Sequence, residues 1–339
     1  MSRFGLAIMS DPAIRFRRDL AIASGRPLAI DEPLALAVSG GPDSMAMLAL
    51  AVAALPGQVT VATFDHGLRD GSAAEAAMVA DWCRANAVPH RTLHPAEPLP
   101  RTNVQATARR ARYAALLDWA AGAGASVLAT AHHADDQAET FLMRANRGSG
   151  LAGLAGVRPR RTETLADGRQ IMVLRPLLGW RRAELRAVAE GAGLPFVDDP
   201  SNGDPRYDRA RMRDLLRGQD GIDPAQLARS AGWLAEMDAD WRLLADRLWA
   251  ERVEQDAPDR LHLSVVGLPR GMRRDLARRA ILATRESAGL AAPGFDMASN
   301  IESLLDALDL GRTATQAGLI VKPITDIWIF MPAPPRKTG

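Results

Sequence analysis

Cysteine is almost missing from this 339-residue chain: Cys83 is the only one. A disulfide framework within the chain is therefore excluded, as is any cysteine-built zinc or iron–sulfur site. Uninterrupted apolar runs of about 18 residues are also missing, which excludes a membrane-spanning helix. The first twenty residues carry Arg3, Asp11, Arg15, Arg17 and Arg18 in place of the apolar stretch a secretory signal needs. Lysine is nearly as scarce as cysteine, for all but Lys322 and Lys337 of the 42 basic residues are arginine. Internal repeats and low-complexity stretches do not occur. A cytoplasmic protein with no membrane association is expected.

Nearly half the residues are apolar (47%), enough for a sizeable core, and the length suits two domains. The formal charge is only +2. Between Arg101 and Arg217, however, nineteen arginines face thirteen acidic residues. GC-rich coding is one reading of arginine replacing lysine. A local arginine excess also suits a polyanionic partner, because the guanidinium fork binds phosphate oxygens in pairs.

Strand-like and helix-like segments alternate through the first part. Strands are expected at Leu34–Val38, Val59–Phe64, near Arg91–His94 and at Ser126–Ala131. Helices are expected at Met45–Ala54, Ala73–Ala87, Val104–Ala121 and Ala134–Arg147. This alternation predicts an α/β fold, a parallel sheet with helices on both faces, whose ligands bind at the carboxyl ends of the strands. Asp167-Gly168 reads as a hairpin tip between Val157–Leu165 and Gln170–Leu174. A helix follows at Arg181–Glu190, then a polar loop at Phe196–Tyr207. Gly218–Pro224 is the expected boundary between an N-terminal domain (1–218) and a smaller, mainly helical C-terminal one (224–339). In the latter, Trp233, Met237, Trp241 and Leu244 mark one face of a long helix over Ala225–Arg252. Helices are expected at Met272–Ser287 and Met297–Leu308, with one or two strands in Leu319–Met331.

The sharpest motif is Ser39-Gly40-Gly41-Pro42-Asp43-Ser44, between the first strand and its helix. The glycines let backbone approach a phosphate, Pro42 suits the first helical position, and the helix start presents N–H groups to an anion. Ser39 and Ser44 add hydroxyls. Asp43 beside a phosphate is repelled unless Mg²⁺ lies between them. No Gly-Lys-Ser/Thr follows, so this is not a Walker loop. Asp65-His66 follows the second strand, as a ligand edge or a simple turn. Arg109 and Arg112 share a helix face. His132-His133-Ala134-Asp135-Asp136-Gln137-Ala138-Glu139 leaves the fourth strand for a helix. Asp136 and Glu139 point the same way, as helix caps or as a negative pocket. A zinc ion shared by His132 and His133 is disfavoured, since neighbours leaving a strand point to opposite faces.

Taken together, Ser39–Ser44, Asp65–Arg69, Ala108–Tyr113, His132–Gly150 and Asp199–Asn202 with Tyr207, Arg209 and Arg213 resemble, in order, the tRNA(Ile)-lysidine synthetase family of N-type ATP pyrophosphatases. The resemblance covers about 40 to 215 and implies an adenine nucleotide alpha hydrolase-like fold. It implies that ATP adenylates O2 of the wobble cytidine in an isoleucine tRNA with anticodon CAU. The ε-amine of L-lysine then displaces AMP from C2. By the same resemblance Ser39, Gly40, Gly41, Pro42, Asp43 and Ser44 hold the phosphates, with Asp43 on magnesium. His133 lies against the nucleotide, Arg112 is catalytic, Asp136 and Glu139 recognise lysine, and Arg209 and Arg213 serve lysine or the tRNA backbone. Oligomeric state is left open, a homodimer being one option, as is the way the C-terminal part meets RNA. Rival readings are a tRNA-thiolating relative, which paired cysteines would have favoured, an amide-forming small-molecule ligase, and a non-catalytic nucleotide binder.

Overall fold

The computed structural model describes residues 11–67, 71–97, 104–198, 208–218 and 221–334. Leu68 and Arg69, Asp199–Asn202 and Tyr207 lie outside the described residues. The chain divides into two compact units, Met1–Glu236 and Met237–Gly339.

The first unit opens with helix α1 (Asp11–Ser24), then strand β1 (Leu34–Ala37), α2 (Pro42–Ala54), β2 (Val59–Phe64), α3 (Ser72–Ala85) and β3 (His90–Leu93). It continues with α4 (Val104–Gly122), β4 (Val127–Ala129), α5 (Ala134–Asn146), the short α6 (Leu151–Leu154), β5 (Arg160–Thr164) and β6 (Gln170–Leu174). Helices α7 (Arg182–Gly191), α8 (Asp208–Arg217) and α9 (Pro224–Arg252) follow. The unit boundary falls within α9.

The strands form one sheet in the order β3-β2-β1-β4-β6-β5. Pairing is parallel from β3 to β6, and only β5, the far arm of the expected hairpin, is antiparallel. Period-two alternation decides what each face carries. In β1, Leu34 and Leu36 join the core formed with α1, α2 and α7, while Ala35 joins the core under α4. Val127 and Ala129 of β4 likewise face the first core and Leu128 the second. Helix α2 is buried on every side from Ser44 to Ala51. It has no solvent face because α1 and α7 pack against it. Full burial of a side chain such as Met47 contributes about 1.5–3 kcal/mol.

The chain runs from β1 outward through β2 to β3, then returns to place β4 on the other side of β1. The connections leaving β1 and β4 therefore diverge to opposite sides, and a crevice opens at their carboxyl ends. The glycine-rich loop follows β1, and the His132-His133 segment follows β4.

In the second unit, the hairpin β7 (Val253–Ala257) and β8 (Arg260–Ser264) precedes α10 (Arg270–Ser287) and α11 (Glu302–Asp309). Strands β9 (Ala314–Gln316), β10 (Leu319–Ile324) and β11 (Ile327–Pro332) follow. Their antiparallel sheet has the order β7-β8-β11-β10-β9. Helix α10 packs on β8 and β11, and α11 on β9 and β10. Leu263, Leu276, Ile281, Leu305, Val321 and Phe330 fill the core between them. The expected helices and terminal strands are present, and the β7–β8 hairpin adds to them. Helix α11 begins later than the expected Met297 because Asp296 and Ser299 close a turn on each other, and Asn300 Oδ1 accepts from the Glu302 N–H at 2.9 Å.

Helix α9 has the expected spacing, but its apolar stripe is unevenly buried. Trp241 packs on the core of the second unit, close enough to Gly271 that a Cβ there would sit 3.1 Å from the indole. Met237 and Leu244 remain exposed. Among the described residues no helix is long and apolar enough to cross a membrane.

Candidate active site

A cavity of about 740 Å³ opens at the crevice between β1 and β4. Its floor is the glycine-rich loop. Gly40 has φ +87°, where side chains are strained, and a Cβ there would also meet Met78 at 3.3 Å. Gly41 takes the N-cap position of α2, and Pro42 opens the helix, as expected. The two serines tie the loop to itself. Ser44 Oγ donates to the Gly41 carbonyl at 3.0 Å and accepts from the Ser39 N–H at 3.2 Å, with Ser39 Oγ 3.3 Å away. From outside, Val197 donates its N–H to the Gly40 carbonyl at 3.0 Å. The loop is thus preshaped, and the dipole of α2 points into the cavity.

Asp43 is the only charge in the loop. Its Oδ2 lies 3.4 Å from His133 Nε2, while its Oδ1 is buried without a hydrogen-bond partner. Among the described residues no group of three or more His, Cys, Asp or Glu side chains gathers as a metal site. A single carboxylate with a free oxygen still fits magnesium, which takes one or two carboxylates and fills its other positions with phosphate oxygens and water.

His133, 1% exposed, sits among three carboxylates. Its Nε2 is 3.7 Å from Asp136 and its Nδ1 3.6 Å from Asp135. Burial works to lower its pKa, but the Asp43 hydrogen bond and the Asp136 and Asp43 charges win, so the imidazole is held above its ordinary value. His132 behaves oppositely although it also lines the cavity. Burial pushes it down to about 3; Asp136 opposes this, and Arg175, Arg209 and Arg109 add to it. A neutral imidazole results, 3.0 Å from Thr130 Oγ1 through Nδ1.

The two carboxylates of α5 meet α8. Asp136 Oδ2 accepts from the His133 N–H at 3.0 Å, and its Oδ1 accepts from Arg209 Nη2 at 2.6 Å. Burial tends to raise the Asp136 pKa, but the His133 and Arg209 charges outweigh it and hold the group below its usual range. Glu139 is 1% exposed and accepts from Arg209 Nε at 2.6 Å and Arg213 Nε at 2.7 Å. The capping role read from sequence therefore holds for Asp136, which closes a capping box with His133. Glu139 is instead the buried carboxylate of an ionic cluster with Arg209 and Arg213.

On another wall, Arg109 and Arg112 lie 5.0 and 5.7 Å from the Tyr113 ring. Arg112 has no acidic partner among the described residues, and burial lowers its pKa. A desolvated guanidinium without an acidic partner, on the wall of the same cavity as the glycine-rich loop, is suited to meeting developing negative charge. Asp65 shapes the turn after β2. Its Oδ1 accepts from the Gly67 N–H at 2.9 Å, and the Ser72 hydroxyl is the main cause of its lowered pKa. His66 beside it lines the cavity. Cys83 is fully buried, and burial pushes its thiol up to about 12, so it is not a nucleophile.

Arg182 and Arg186, from α7, also line the cavity and were not singled out by the sequence. Arg186 is committed to Asp198 and Glu190. Asp135 is equally committed, accepting from the Arg182 N–H at 2.8 Å and from Arg181 Nε at 3.2 Å, which ties the start of α7 to α5. The available signal was a pair of arginines at a helix start, where the dipole disfavours cations.

A PP-loop domain family matches residues 18–219. A protein from Novosphingobium aromaticivorans named tRNA(Ile)-lysidine synthase is 42% identical over 97% of this chain and 96% of its own. Proteins of the same name from Zymomonas mobilis and Rhodopseudomonas palustris are 39% and 37% identical, covering 90% of this chain and 89% and 91% of theirs. Among solved structures, a U34-tRNA thiolase from Methanococcus maripaludis, determined with its 4Fe-4S cluster, is similar in fold. Its TM-score is 0.51 at 17% identity, over 66% of this chain and 80% of that one.

Proposed function

This chain belongs to the tRNA(Ile)-lysidine synthase family of PP-loop enzymes, and we propose that the cavity above the phosphate loop carries out both halves of lysidine formation. The enzyme is an ATP-dependent ligase that modifies tRNA(Ile). The observation that carries the assignment of its site is a juxtaposition: the preshaped loop Ser39–Ser44 and the Asp136/Glu139 pair open on one cavity, with Arg112 on its wall.

In the first half, ATP lies with its phosphates on Ser39, Gly40, Gly41, Pro42, Asp43 and Ser44. O2 of the wobble cytidine of the CAU anticodon attacks the α-phosphorus. A carbon-bound oxygen gains a bond to phosphorus, the α–β phosphate bond breaks, and pyrophosphate leaves. Asp43 would hold Mg²⁺, which when bound supplies positive charge against the triphosphate. The neutral face of the loop and the α2 dipole help to retain the phosphates. His133 borders the nucleotide and holds Asp43 in place from beneath. Arg112 meets the charge that develops at the α-phosphate or on the activated base.

In the second half, the ε-nitrogen of L-lysine attacks C2. A carbon–nitrogen bond forms, the C2–O2 bond breaks, and AMP carries the oxygen away. The amine must lose a proton first, since its free pKa is about 10.4, and the carboxylates of Asp136 and Glu139 are the acceptors beside it. Asp136 and Glu139 form the negative element that recognises lysine. Arg209 and Arg213 neutralise that element before lysine arrives, and either can turn to the lysine carboxylate or the tRNA backbone.

We assign catalysis to residues 1–218 and tRNA docking to 224–339, in the cytoplasm where both substrates are found. The end of the PP-loop match at residue 219 and the separate core of the second unit support this division. A sulfur-transfer reading finds no reactive thiol, because Cys83 is buried.

The decisive assay mixes enzyme, ATP, Mg²⁺, lysine and tRNA and omits each in turn. AMP release is expected only with the CAU-anticodon tRNA, together with labelled lysine in acid-insoluble RNA. Full AMP release without RNA would replace this reading with a small-molecule ligase. No AMP in any mixture would leave only nucleotide binding.

A further inference from the structure

We infer that Arg182 is a further substrate-binding residue: its guanidinium grips the β- and γ-phosphates of ATP and then the departing pyrophosphate. The inference rests on triphosphate lying on the loop Ser39–Ser44.

The need for such a group follows from the loop itself. A Walker loop brings its own lysine to the β- and γ-phosphates. Here the only charge between Ser39 and Ser44 is the carboxylate of Asp43, of the same sign as the ligand. A cation must come from another element, and arginine is well suited because its fork matches two phosphate oxygens at once.

Arg182 is the cation that the fold delivers there. It lines the cavity together with Ser39, Gly41, Asp43 and Ser44. Its Nη2 stands 3.8 Å from Asp43 Oδ2, beyond hydrogen-bonding distance, and the side chain is 32% exposed. Its chain neighbours are spoken for: Arg181 pairs with Asp135 and Asp223, and Arg186 with Asp198 and Glu190. Among the described residues the only acid within ion-pair distance of Arg182 is Asp43.

Its position in α7 is electrostatically unfavourable and therefore informative. Arg182 is the first residue of the helix, at the positive end of the dipole, where a cation is disfavoured. The local backbone donors are already used, since the Arg181 N–H goes to Glu184 and the Arg182 N–H to Asp135. These bonds fix where the side chain starts, and the packing of α7 on α2 fixes it relative to the loop. A guanidinium held in such a place without a close partner is arranged for an anion that arrives later.

The test compares wild type with Arg182→Ala, Arg182→Gln and Arg182→Lys, using three inhibitors or substrates that differ in phosphate content. Arg182→Ala should raise the KM for ATP and the inhibition constant of inorganic pyrophosphate by roughly ten- to hundredfold, the scale of one charge-assisted contact. Inhibition by AMP, which lacks the β- and γ-phosphates, and the KM for lysine should change less than about twofold. Arg182→Lys should recover part of the loss, and Arg182→Gln should follow alanine. If alanine does not fold, the glutamine variant gives the same comparison. An unchanged pyrophosphate constant, or equal weakening of AMP and pyrophosphate, would overturn the inference. Failure of pyrophosphate to inhibit the wild-type enzyme would instead defeat the phosphate-loop assignment on which it rests.

Discussion

Arg209 donates through Nε to Glu139 Oε2 at 2.6 Å, so the buried carboxylate assigned to lysine already holds a cation. Arg213 reaches the other oxygen at 2.7 Å. A glutamate with 1% exposure would be costly in the folded state without such partners. The same arginines that make it tolerable also compete with the ammonium group it is proposed to bind.

Replacing Glu139 therefore has two separable consequences. Glu139→Ala should abolish lysine incorporation into tRNA while pyrophosphate release changes less than about tenfold. It should also lower stability by about 3 kcal/mol, because two guanidinium groups lose their buried partner. Chemical denaturation and the two product assays check this. Normal lysine incorporation would remove Glu139 from the site.

Asp43 is expected to show the reverse balance. Its Oδ1 bonds to nothing in the protein and its Oδ2 meets only His133 and Arg182, at 3.4 and 3.8 Å, so its loss should cost less stability than that of Glu139. Asp43→Ala should reduce tRNA-dependent pyrophosphate release roughly 10²–10³-fold, the scale of one preorganised electrostatic group. A variant that releases pyrophosphate at the wild-type rate would exclude Asp43 from phosphate and magnesium binding.

His132 should make the fold acid-sensitive. Its folded pKa of about 3 lies below the unfolded value of 6.5. The stability it contributes is complete above pH 6.5 and is lost as pH falls toward 3, because the unfolded chain takes the proton first. At pH 5 the loss is about 2 kcal/mol, at 1.36 kcal/mol per pH unit. His133, whose pKa is raised, works in the opposite direction, so the quantity to measure is the difference between wild type and His132→Asn. Denaturation midpoints at pH 7 and pH 5 should converge by that amount. Parallel pH profiles would show that His132 is not held neutral.

Cys83 should be chemically silent. Native enzyme at pH 8 is expected to resist maleimide labelling and to react only in denaturant, since the thiol is buried and titrates at about 12. Cys83→Ala should keep full lysine incorporation. Loss of activity with an intact fold would reopen sulfur chemistry.

Much of the catalytic unit was legible because its signals are local. Leu34–Val38 reads as a strand because it is a short apolar run that ends in glycine and proline, and Ser39–Ser44 reads as a loop entering a helix from six consecutive residues. The β5–β6 hairpin was announced by Asp167-Gly168. The β7–β8 hairpin was not, because Val253-Glu254-Gln255-Asp256-Ala257 is mostly polar and continues directly from a 29-residue helix. Its strand character comes from pairing with β8, which has the clearer alternation Leu261-His262-Leu263.

By itself, the sequence determined the phosphate loop, the strand–helix alternation and the family, since each depends on residue type at short spacing and on backbone preferences that act locally. The tertiary structure alone decided which charges meet. Arg182 stands beside Asp43 across 139 positions, and Arg209 reaches Glu139 across 70. Many arginines in this chain could pair with many acids. Only the packing of α7 on α2 and of α8 against α5 selects the partners, because charge interactions weaken with distance and the fold sets the distances.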